Sequence, residues 1–497
     1  MRVRREIGVW ETIGVLIAVA VLSSIAFVPG EKTEVITAGS GGTAGIDSPE
    51  GDAPDGSIPD DPTEVVDVGG GPDGSSGSAA NLACAAGRNG GATDVGVTAD
   101  SIKLGATVVD TGIGAAFLSD VRFGMQAVVN AVNAAGGVCG RRLTLVLKDD
   151  GWDAQRGNLF IRNLVEGEKV FALAVVPSSE GLRAASDYVR EQGVPVVGTD
   201  GMLIGQYTNP MVWPVAASTI TAMHIMAKHS YDLGSRNFAM VYDSNFRFGV
   251  EGSFAFNSSV QRLTGKDIPG FSNPLTSPRC RDRFCGIKAG QPSYQTEIEV
   301  VRSACNKEPA CDYIVYLLEP ETAQTWMRGG GMQAGATPES KPQIGAPQPL
   351  FNRSFGVNCA QKCHNLWVWT GFVPPVEPFT DQPAVARYLA DMRRTNAKAD
   401  AANSFVEGGY IGMKLLVEAL ERVGPDLTRE ALIAQLDAMK LDAGLSRLLR
   451  WQRGDHFANR CMMAFSFQSK PSFAGWRQES DWVCDPWPGM DIPASET

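Results

Sequence analysis

Two consecutive serines, Ser178 and Ser179, are the first residues in the sequence that could bind a ligand. They follow a buried-type apolar run, Phe171 to Val176, and precede a segment predicted to be helical from Glu180 to Gln192. Free N–H groups at a helix start, together with a hydroxyl, make a site for an anion. Open α/β sheets bind their ligands at the loops that follow the carboxyl ends of their parallel strands. The alternative is that these serines only cap the helix.

The ten cysteines are a second group with its own chemistry. In an exported chain, cysteines in this number indicate a disulfide framework. The segment Cys359 to Cys363 has three residues between its cysteines, whereas haem attachment needs two, so a disulfide is favoured there. Proximity along the sequence predicts the pairs Cys280 with Cys285, Cys305 with Cys311, Cys359 with Cys363 and Cys461 with Cys484, which leaves Cys84 with Cys139.

The remaining patterns argue against an enzyme, a metal site or a cofactor. His224 and His229 are five residues apart, which misses the i,i+4 spacing of metal ligands on a helix. The glycine-rich segment 329–335 follows a helix instead of opening one after a strand, which argues against nucleotide binding. Asp149 and Asp150 are adjacent on a predicted strand, so their side chains point to opposite faces. We therefore expect no catalytic residues, no metal and no cofactor.

The amino terminus predicts export. Three arginines precede an apolar run, Ile13 to Val28, and arginines ahead of such a run keep that end in the cytoplasm. The run has about sixteen residues, or about twenty-two if counted from Ile7, and about twenty span a bilayer. A cleaved signal peptide with a small-residue site at Ser24 to Ala26 is the alternative. Residues 1–30 are thus predicted to be a membrane anchor or signal segment.

Residues 31–94 are predicted to be a disordered acidic stalk. The chain has a net charge of −11, of which residues 31–80 contribute −10 (eleven acids and one Lys) and residues 1–30 contribute +1. A Gly-, Ser- and Pro-rich segment with this charge repels itself and stays extended. The remaining −2 leaves the folded part nearly neutral, without the basic stripe that nucleic-acid binding needs.

Strands and helices alternate through the rest of the chain, which predicts βαβ units and parallel sheets. The alternation begins near Ser101 and restarts near Thr219, after an extended segment at Val212 to Val215. We therefore predict an α/β fold in which two doubly wound lobes form a clamshell over residues 95–487. The Trp-, Pro- and Cys-rich tail from Trp451 to Trp487 is expected to strap the lobes together. The predicted boundaries are 95–214 with 371–449 for lobe 1, and 215–370 with 450–487 for lobe 2.

Several stretches resemble one family. The segments that carry the likeness are 96–105, 130–137, 140–150, 176–180 and 193–200. They are similar to the leucine/isoleucine/valine-binding proteins, which are type I periplasmic substrate-binding proteins of ABC importers. The likeness covers most of residues 95–470 and is strongest up to about residue 200. It implies a ligand held in the cleft between two doubly wound lobes.

The resemblance also implies site residues. The family's carboxylate-binding serine aligns with Ser179, beside Ser178, and its ligand-facing tyrosine aligns with Phe248. In the family's second loop Met202 stands where a threonine is usual, and Asp200 is a new polar group, either a receptor for a ligand cation or an ordinary turn residue. Phe248 is either an aromatic wall of the pocket or core packing. The family's acidic partner of an amino group should lie near Gln348, which carries no charge, and this favours amides, urea-like or neutral ligands.

These features together predict a membrane-tethered, monomeric solute-binding protein of an ABC importer. The folded domain would lie on the extracytoplasmic side of the cell membrane. It would capture a small polar ligand (an amino acid, an amide or a urea-like molecule) and deliver it to an ABC permease. The alternative is a surface sensor or structural protein that keeps the clamshell but serves no transporter.

Overall fold

The computed structural model describes residues 33–36, 89–335, 337, 340–470 and 473–488. The predicted anchor, Cys84 and most of the predicted stalk lie outside these residues. Within them, no helix is long and apolar enough to cross a membrane. The residues Thr33–Ile36 fall inside the predicted stalk and form a strand that pairs antiparallel with Arg142–Asp149.

The first lobe is built on a six-stranded sheet that is parallel except for its amino-terminal edge strand. Its inner strands are largely buried because helices cover both faces. In chain order the strands are β1 (Thr33–Ile36), β2 (Ser101–Val108), β3 (Arg142–Asp149), β4 (Ala172–Val176), β5 (Val196–Thr199) and β6 (Val212–Trp213). They lie side by side in the order β1-β3-β2-β4-β5-β6.

Helices from two parts of the chain pack on this sheet. The first part supplies α1 (Ala115–Leu118), α2 (Val121–Ala134), α3 (Ala154–Glu166), α4 (Ser179–Ala184), α5 (Ser186–Glu191) and α6 (Gly205–Thr208). The later part supplies three more helices that contact the same lobe, α12 (Pro383–Asn396), α13 (Ser404–Val423) and α14 (Arg429–Leu436). The helices α2 and α13 come close together at Gly124, where a Cβ atom would lie 2.3 Å from the carbonyl oxygen of Val406.

The second lobe is built on a larger mixed sheet. Its strands are β7 (Phe238–Asp243), β8 (Cys280–Arg281), β9 (Phe284–Ile287), β10 (Tyr313–Leu317), β11 (Gln343–Ala346), β12 (Trp367–Thr370), β15 (Cys461–Lys470), β16 (Phe473–Gln478) and β17 (Val483–Cys484). They lie in the order β16-β15-β12-β11-β10-β7-β9-β8, with β17 paired to β15. The helices of this part of the chain are α7 (Thr219–Asp232), α8 (Arg247–Thr264), α9 (Gln295–Cys305), α10 (Pro320–Arg328) and α11 (Arg353–Cys359), with short 3-10 turns at Gln348–Leu350 and Ala360–Cys363.

Three crossings join the lobes, and residues 445–460, here called the hinge strap, hold them together. The strap contains β14 (Leu449–Arg450), which forms a short antiparallel ladder with β13 (Lys440–Leu441). Asn459 Nδ2 donates to the carbonyl oxygens of both Gly371 (2.9 Å) and Val215 (3.3 Å), one on each of the other crossings. Trp451 Nε1 donates to the carbonyl oxygen of Pro214 at 3.0 Å. Trp451 and Asn459 of the predicted tail thus bind the two other crossings through hydrogen bonds.

The four predicted disulfides whose cysteines both lie in the described part of the chain are present. They link Cys280 to Cys285, Cys305 to Cys311, Cys359 to Cys363 and Cys461 to Cys484. Cys139 is disulfide-bonded too, and its predicted partner lies outside the described residues.

The sequence analysis missed some elements of the second lobe and joined two helices of the first. The eighteen-residue helix α8 was missed because glycine, asparagine and serine within it lower its intrinsic helix propensity. The predicted helix from Glu180 to Gln192 is instead two helices, α4 and α5, with a break at Ala185. The strands β8, β9, β15, β16 and β17 were also not foreseen.

Candidate functional site

The first wall of the candidate site is the carboxyl-terminal edge of the first sheet. Ser178 and Ser179 follow β4, which is next to β2 on the side opposite β3, and ligand sites form at such a reversal of strand order. Ser178 caps α4, since its hydroxyl accepts from the N–H of Gly181 at 3.4 Å. Ser179 Oγ accepts from Trp152 Nε1 at 3.0 Å. Trp152, after β3, therefore belongs to the same wall, and the sequence analysis missed it.

Asp200, after β5, is tied directly to Ser179. The N–H of Ser179 donates to Asp200 Oδ2 at 3.1 Å, while Gln206 Nε2 and the N–H of Met202 donate to Asp200 Oδ1 at 2.7 and 3.2 Å. Burial raises the pKa of Asp200 to about 7, although these hydrogen bonds act in the opposite direction. The carboxyl group of Asp200 thus already accepts the hydrogen bond of the Ser179 N–H. The sequence analysis expected N–H groups at this helix start to bind a ligand anion.

A second buried carboxyl group, Asp150, lies close to the start of the same helix. A Cβ atom placed on Gly181 would lie 2.6 Å from Asp150 Oδ2, so glycine is needed for this approach. Asp150 Oδ1 accepts from the N–H of Trp152 at 2.9 Å. Burial raises the pKa of Asp150 to about 7. This wall therefore has two carboxyl groups that change charge near neutral pH.

The second wall is aromatic and comes from the other lobe. Phe246 and Phe248 stand at the start of α8, which follows β7. The ring of Phe246 stacks on Trp152 with centroids 4.4 Å apart, and the ring of Phe248 lies 6.0 Å from the same indole. Phe117 closes the cluster on the first lobe, 5.4 Å from Trp152 and edge-on to it. The contact surface between the lobes at Trp152, Phe246 and Phe248 is called the seam. Phe248 both lines this seam and is buried in its packing.

Polar contacts hold the two walls together. The N–H of Arg247 donates to Glu180 Oε1 at 3.0 Å, across the seam. The N–H of Ile204, in the first lobe, donates to Glu251 Oε2 at 2.9 Å, and Arg247 Nε donates to the other oxygen of Glu251 at 3.0 Å. The bonds from Arg247 to Glu180 and from Ile204 to Glu251 close the lobes on one another, whereas the bond from Arg247 to Glu251 lies within α8. The two bonds across the seam are absent from the sequence predictions because they join residues 67 and 47 positions apart.

Gln348 lies on the same edge of the second sheet, in the 3-10 turn after β11. It is buried, and its Oε1 has no hydrogen-bond partner in the described part of the chain. No hydrogen bond or ring contact of the described residues joins it to Ser179, Asp200 or Phe248. A buried acceptor without a partner is costly, so this amide is a candidate contact for a ligand donor.

The acids of this second edge are one and two strands away from β11. Glu319 follows β10 and Asp243 ends β7, and the N–H of Glu319 donates to Asp243 Oδ2 at 2.7 Å. Burial and the neighbouring Glu319 carboxyl group raise the pKa of Asp243 well above its usual range. Glu319 also caps α10 by accepting from the N–H groups of Glu321 and Thr322. Asp243 and Glu319 therefore both accept hydrogen bonds from backbone N–H groups of their own lobe.

Two α/β lobes that meet at the carboxyl ends of their parallel strands place a cleft where folds of this kind bind ligands. In the described residues no group of three or more His, Cys, Asp or Glu side chains is placed to hold a metal ion. A family profile described as periplasmic binding protein matches residues 101–278 and 312–471. The chain belongs to this family. Its members bind solutes and are not enzymes.

Solved structures of other binding proteins share the fold. A possible leucine/isoleucine/valine-binding protein from Rhodopirellula baltica SH 1 superposes with a TM-score of 0.63 at 17% identity, covering 77% of this chain and 97% of that one. A fatty acid ABC transporter substrate-binding protein from Thermomonospora curvata gives 0.62 at 20% identity, covering 78% and 93%. A solute-binding protein from R. palustris in complex with 4-hydroxybenzoate gives 0.63 at 14% identity, covering 78% and 98%. No curated protein sequence matches this binding protein.

Proposed function

We propose that this periplasmic binding protein is the extracytoplasmic receptor of an ABC importer, tethered to the membrane by residues 1–30. The receptor closes when a ligand bridges both lobes, because only the closed state offers both sets of contacts. The observation that carries the proposal is the seam itself. Trp152 of one lobe meets Phe246 and Phe248 of the other directly beside the hydroxyl of Ser179.

The chemistry of the seam narrows the ligand class. Once the lobes part, the rings of Trp152, Phe246 and Phe248 can line a site for a flat or branched apolar body, since aromatic walls with a few fixed polar groups are typical of such pockets. The carboxylate of Asp200 accepts from the N–H of Ser179, and a ligand carboxylate or carbonyl can take that place. The ligand is then a small acid or amide with an apolar body. The neighbours named for fatty acid transport and bound to 4-hydroxybenzoate are consistent with this class.

A thermal-shift screen of the full-length protein tests the proposal. The panel contains branched-chain and aromatic amino acids, their amides, urea, and aromatic and short aliphatic carboxylic acids. A ligand at a hundred times its dissociation constant adds about 2.7 kcal/mol of stability. We expect acids or amides with an apolar body to stabilise the protein, and urea to have no effect.

A matched pair of variants locates the site. Phe246→Ala removes a ring that stacks on Trp152 across the seam, so it should abolish the shift caused by a hit. Phe254→Ala removes a ring from the same helix that packs on Phe271 instead, so it should leave the shift intact. A flat screen, or equal losses in the two variants, would overturn the proposal and favour a sensor or structural protein with the same clamshell.

A further inference from the structure

A cavity of about 630 Å³ lies in the hinge strap. This volume is within the range of small-molecule sites. Its lining comes from residues 447–452, 455 and 457–461 together with Cys484. The same stretch of chain holds the crossings, through Trp451 to Pro214 and through Asn459 to Gly371 and Val215. Residues that line the cavity therefore also hold the crossings between the lobes.

The lining of this cavity is positively charged, although the folded part of the chain is nearly neutral. It contains Arg447, Arg450 and Arg460 against one carboxylate, Asp455. Arg460 is already satisfied, because its Nη2 donates to both oxygens of Asp455 at 2.9 and 3.0 Å. Arg447 Nη1 lies 3.3 Å from the sulfur of Cys484, which is a weak, uncharged acceptor. Its guanidinium charge is therefore not neutralised by this contact.

The pairing of β13 with β14 beside the cavity gives a second, independent indication that an anion binds there. Arg450 stands directly opposite Lys440 in the pairing of β13 with β14. Both residues are exposed, and like charges placed directly opposite each other destabilise a strand pair. Among the described residues, neither Arg447 nor Arg450 takes part in an ion pair. A bound anion would relieve the repulsion and neutralise these side chains.

We propose that the hinge-strap cavity is a second ligand site, one that binds a small oxyanion with carboxylate or phosphate groups. Arg447 and Arg450 bind its oxygens, since guanidinium groups match such oxyanions geometrically. An anion held by Arg447 and Arg450 stiffens the strap, which carries the crossing contacts of Trp451 and Asn459. Because opening of the lobes must bend the strap, the anion couples to the cleft by changing the balance between open and closed states. By linkage, a ligand in the cleft changes the affinity for the anion by the same factor, whereas the presence of the anion site does not rest on which ligand the cleft takes.

Isothermal titration calorimetry of the full-length protein with inorganic phosphate and with malonate tests this site. Ionic strength is held constant with sodium chloride, so that general screening does not change. We expect saturable binding of at least one of the two anions to one site. Arg447→Gln and Arg450→Gln should each weaken binding about tenfold, the loss expected for one hydrogen bond to a charged group, and the double variant should show no measurable binding.

Arg453→Gln is the matched control. Arg453 is exposed in the same loop but does not line the cavity, so this variant removes the same charge from outside the site. Its affinity for the anion should equal that of the parent protein. Thermal unfolding of all variants checks that they fold. Absence of binding by both anions, or an equal loss in Arg453→Gln, would overturn the proposal.

Discussion

The two lobes have related folds but are stabilised differently. The first lobe brings helices together over glycines, as where Gly124 of α2 meets the backbone of Val406 in α13. The second lobe contains the four disulfides whose pairs are described, and it extends its sheet with the antiparallel strands β15 and β16. The described disulfide pairs therefore concentrate in the lobe with the short strands and turns, while close packing at glycine occurs in both lobes, as at Gly252 of α8.

The walls that the lobes offer to the cleft differ as well. The first lobe contributes Ser179, Asp150 and Asp200, so its edge is polar and changes charge near neutral pH. The second lobe contributes the rings of Phe246 and Phe248. A closed cleft thus places a hydrogen-bonding wall against an aromatic one, and such a pair selects a ligand with one polar end and one apolar face.

The largest expected effect concerns the buried carboxyl groups of the first lobe. The pKa of Asp150 is raised to about 7, against about 3.9 in an unfolded chain. Its contribution to stability is therefore complete below pH ~4 and is lost as the pH rises through about 7. Asp150→Asn should remove a slope of up to about 1.4 kcal/mol per pH unit within this window. Urea unfolding at several pH values measures this slope.

The exposed Asp187 provides the control for this pH experiment. It lies in the same lobe, its side chain is 79% exposed and it pairs with Arg190 on the surface. Asp187→Asn should keep the pH dependence of the parent protein. If Asp150→Asn also kept that dependence, then Asp150 would not be the group that titrates.

The next largest effect tests the disulfides of the second lobe. Cys461 and Cys484 close the longest of the described links, 23 residues apart in sequence. Replacing both by serine should lower the free energy of unfolding by about 3 kcal/mol, the loop-entropy value for such a length. Hydrogen exchange should increase in β15, β16 and β17 and remain unchanged in β2 and β3. Equal increases in both lobes would mean that the lobes are not stabilised separately.

A glycine substitution tests the close packing of α2 against α13 in the first lobe. Gly124→Ala would bring a Cβ atom within 2.3 Å of the carbonyl oxygen of Val406, so α2 and α13 must move apart. Overpacking of this kind costs about 2 kcal/mol. Gly205→Ala is the control, because nothing lies within 4 Å of its Cβ position. Chemical unfolding should find the first variant destabilised and the control unchanged.

The smallest effect concerns the polar wall. Ser179→Ala should weaken the binding of a hit from the ligand screen by about 1.5 kcal/mol, as expected for one hydrogen bond to a charged group. Calorimetric titration of that ligand measures the change. Thr208→Ala, an exposed hydroxyl of the same lobe, should leave the affinity unchanged. An unaltered affinity in Ser179→Ala would remove this residue from the site.

Much of the fold could be predicted because long segments have one clear period. The continuous apolar run from Phe238 to Tyr242 and the helical stripe of Val121–Ala134 identify their elements without tertiary information. The helix Arg247–Thr264 could not be found this way. It is fixed by packing, as at Gly252, where a Cβ atom would lie 2.4 Å from Leu317 Cδ2.

The site was only partly predictable for the same reason. Ser178 and Ser179 stand at a strand-to-helix junction that the sequence displays. Trp152 and Phe246 carry no local signal that they meet, and Glu180 gives no sign of its bond to the N–H of Arg247. Such contacts depend on how two lobes close, and periodicity describes only one element at a time.

The sequence by itself determined the alternation of strands and helices, the near-neutral folded part and the pairing of neighbouring cysteines, because each of these is a local or additive property of the chain. Only the tertiary structure decided that Asp200 accepts from the N–H of Ser179, that rings from two lobes stack on one indole, and that the arginine-bearing strap packs on the crossing at Pro214. These arrangements join residues from tens to hundreds of positions apart, and their energies depend on burial and distance, which exist only once the chain has folded.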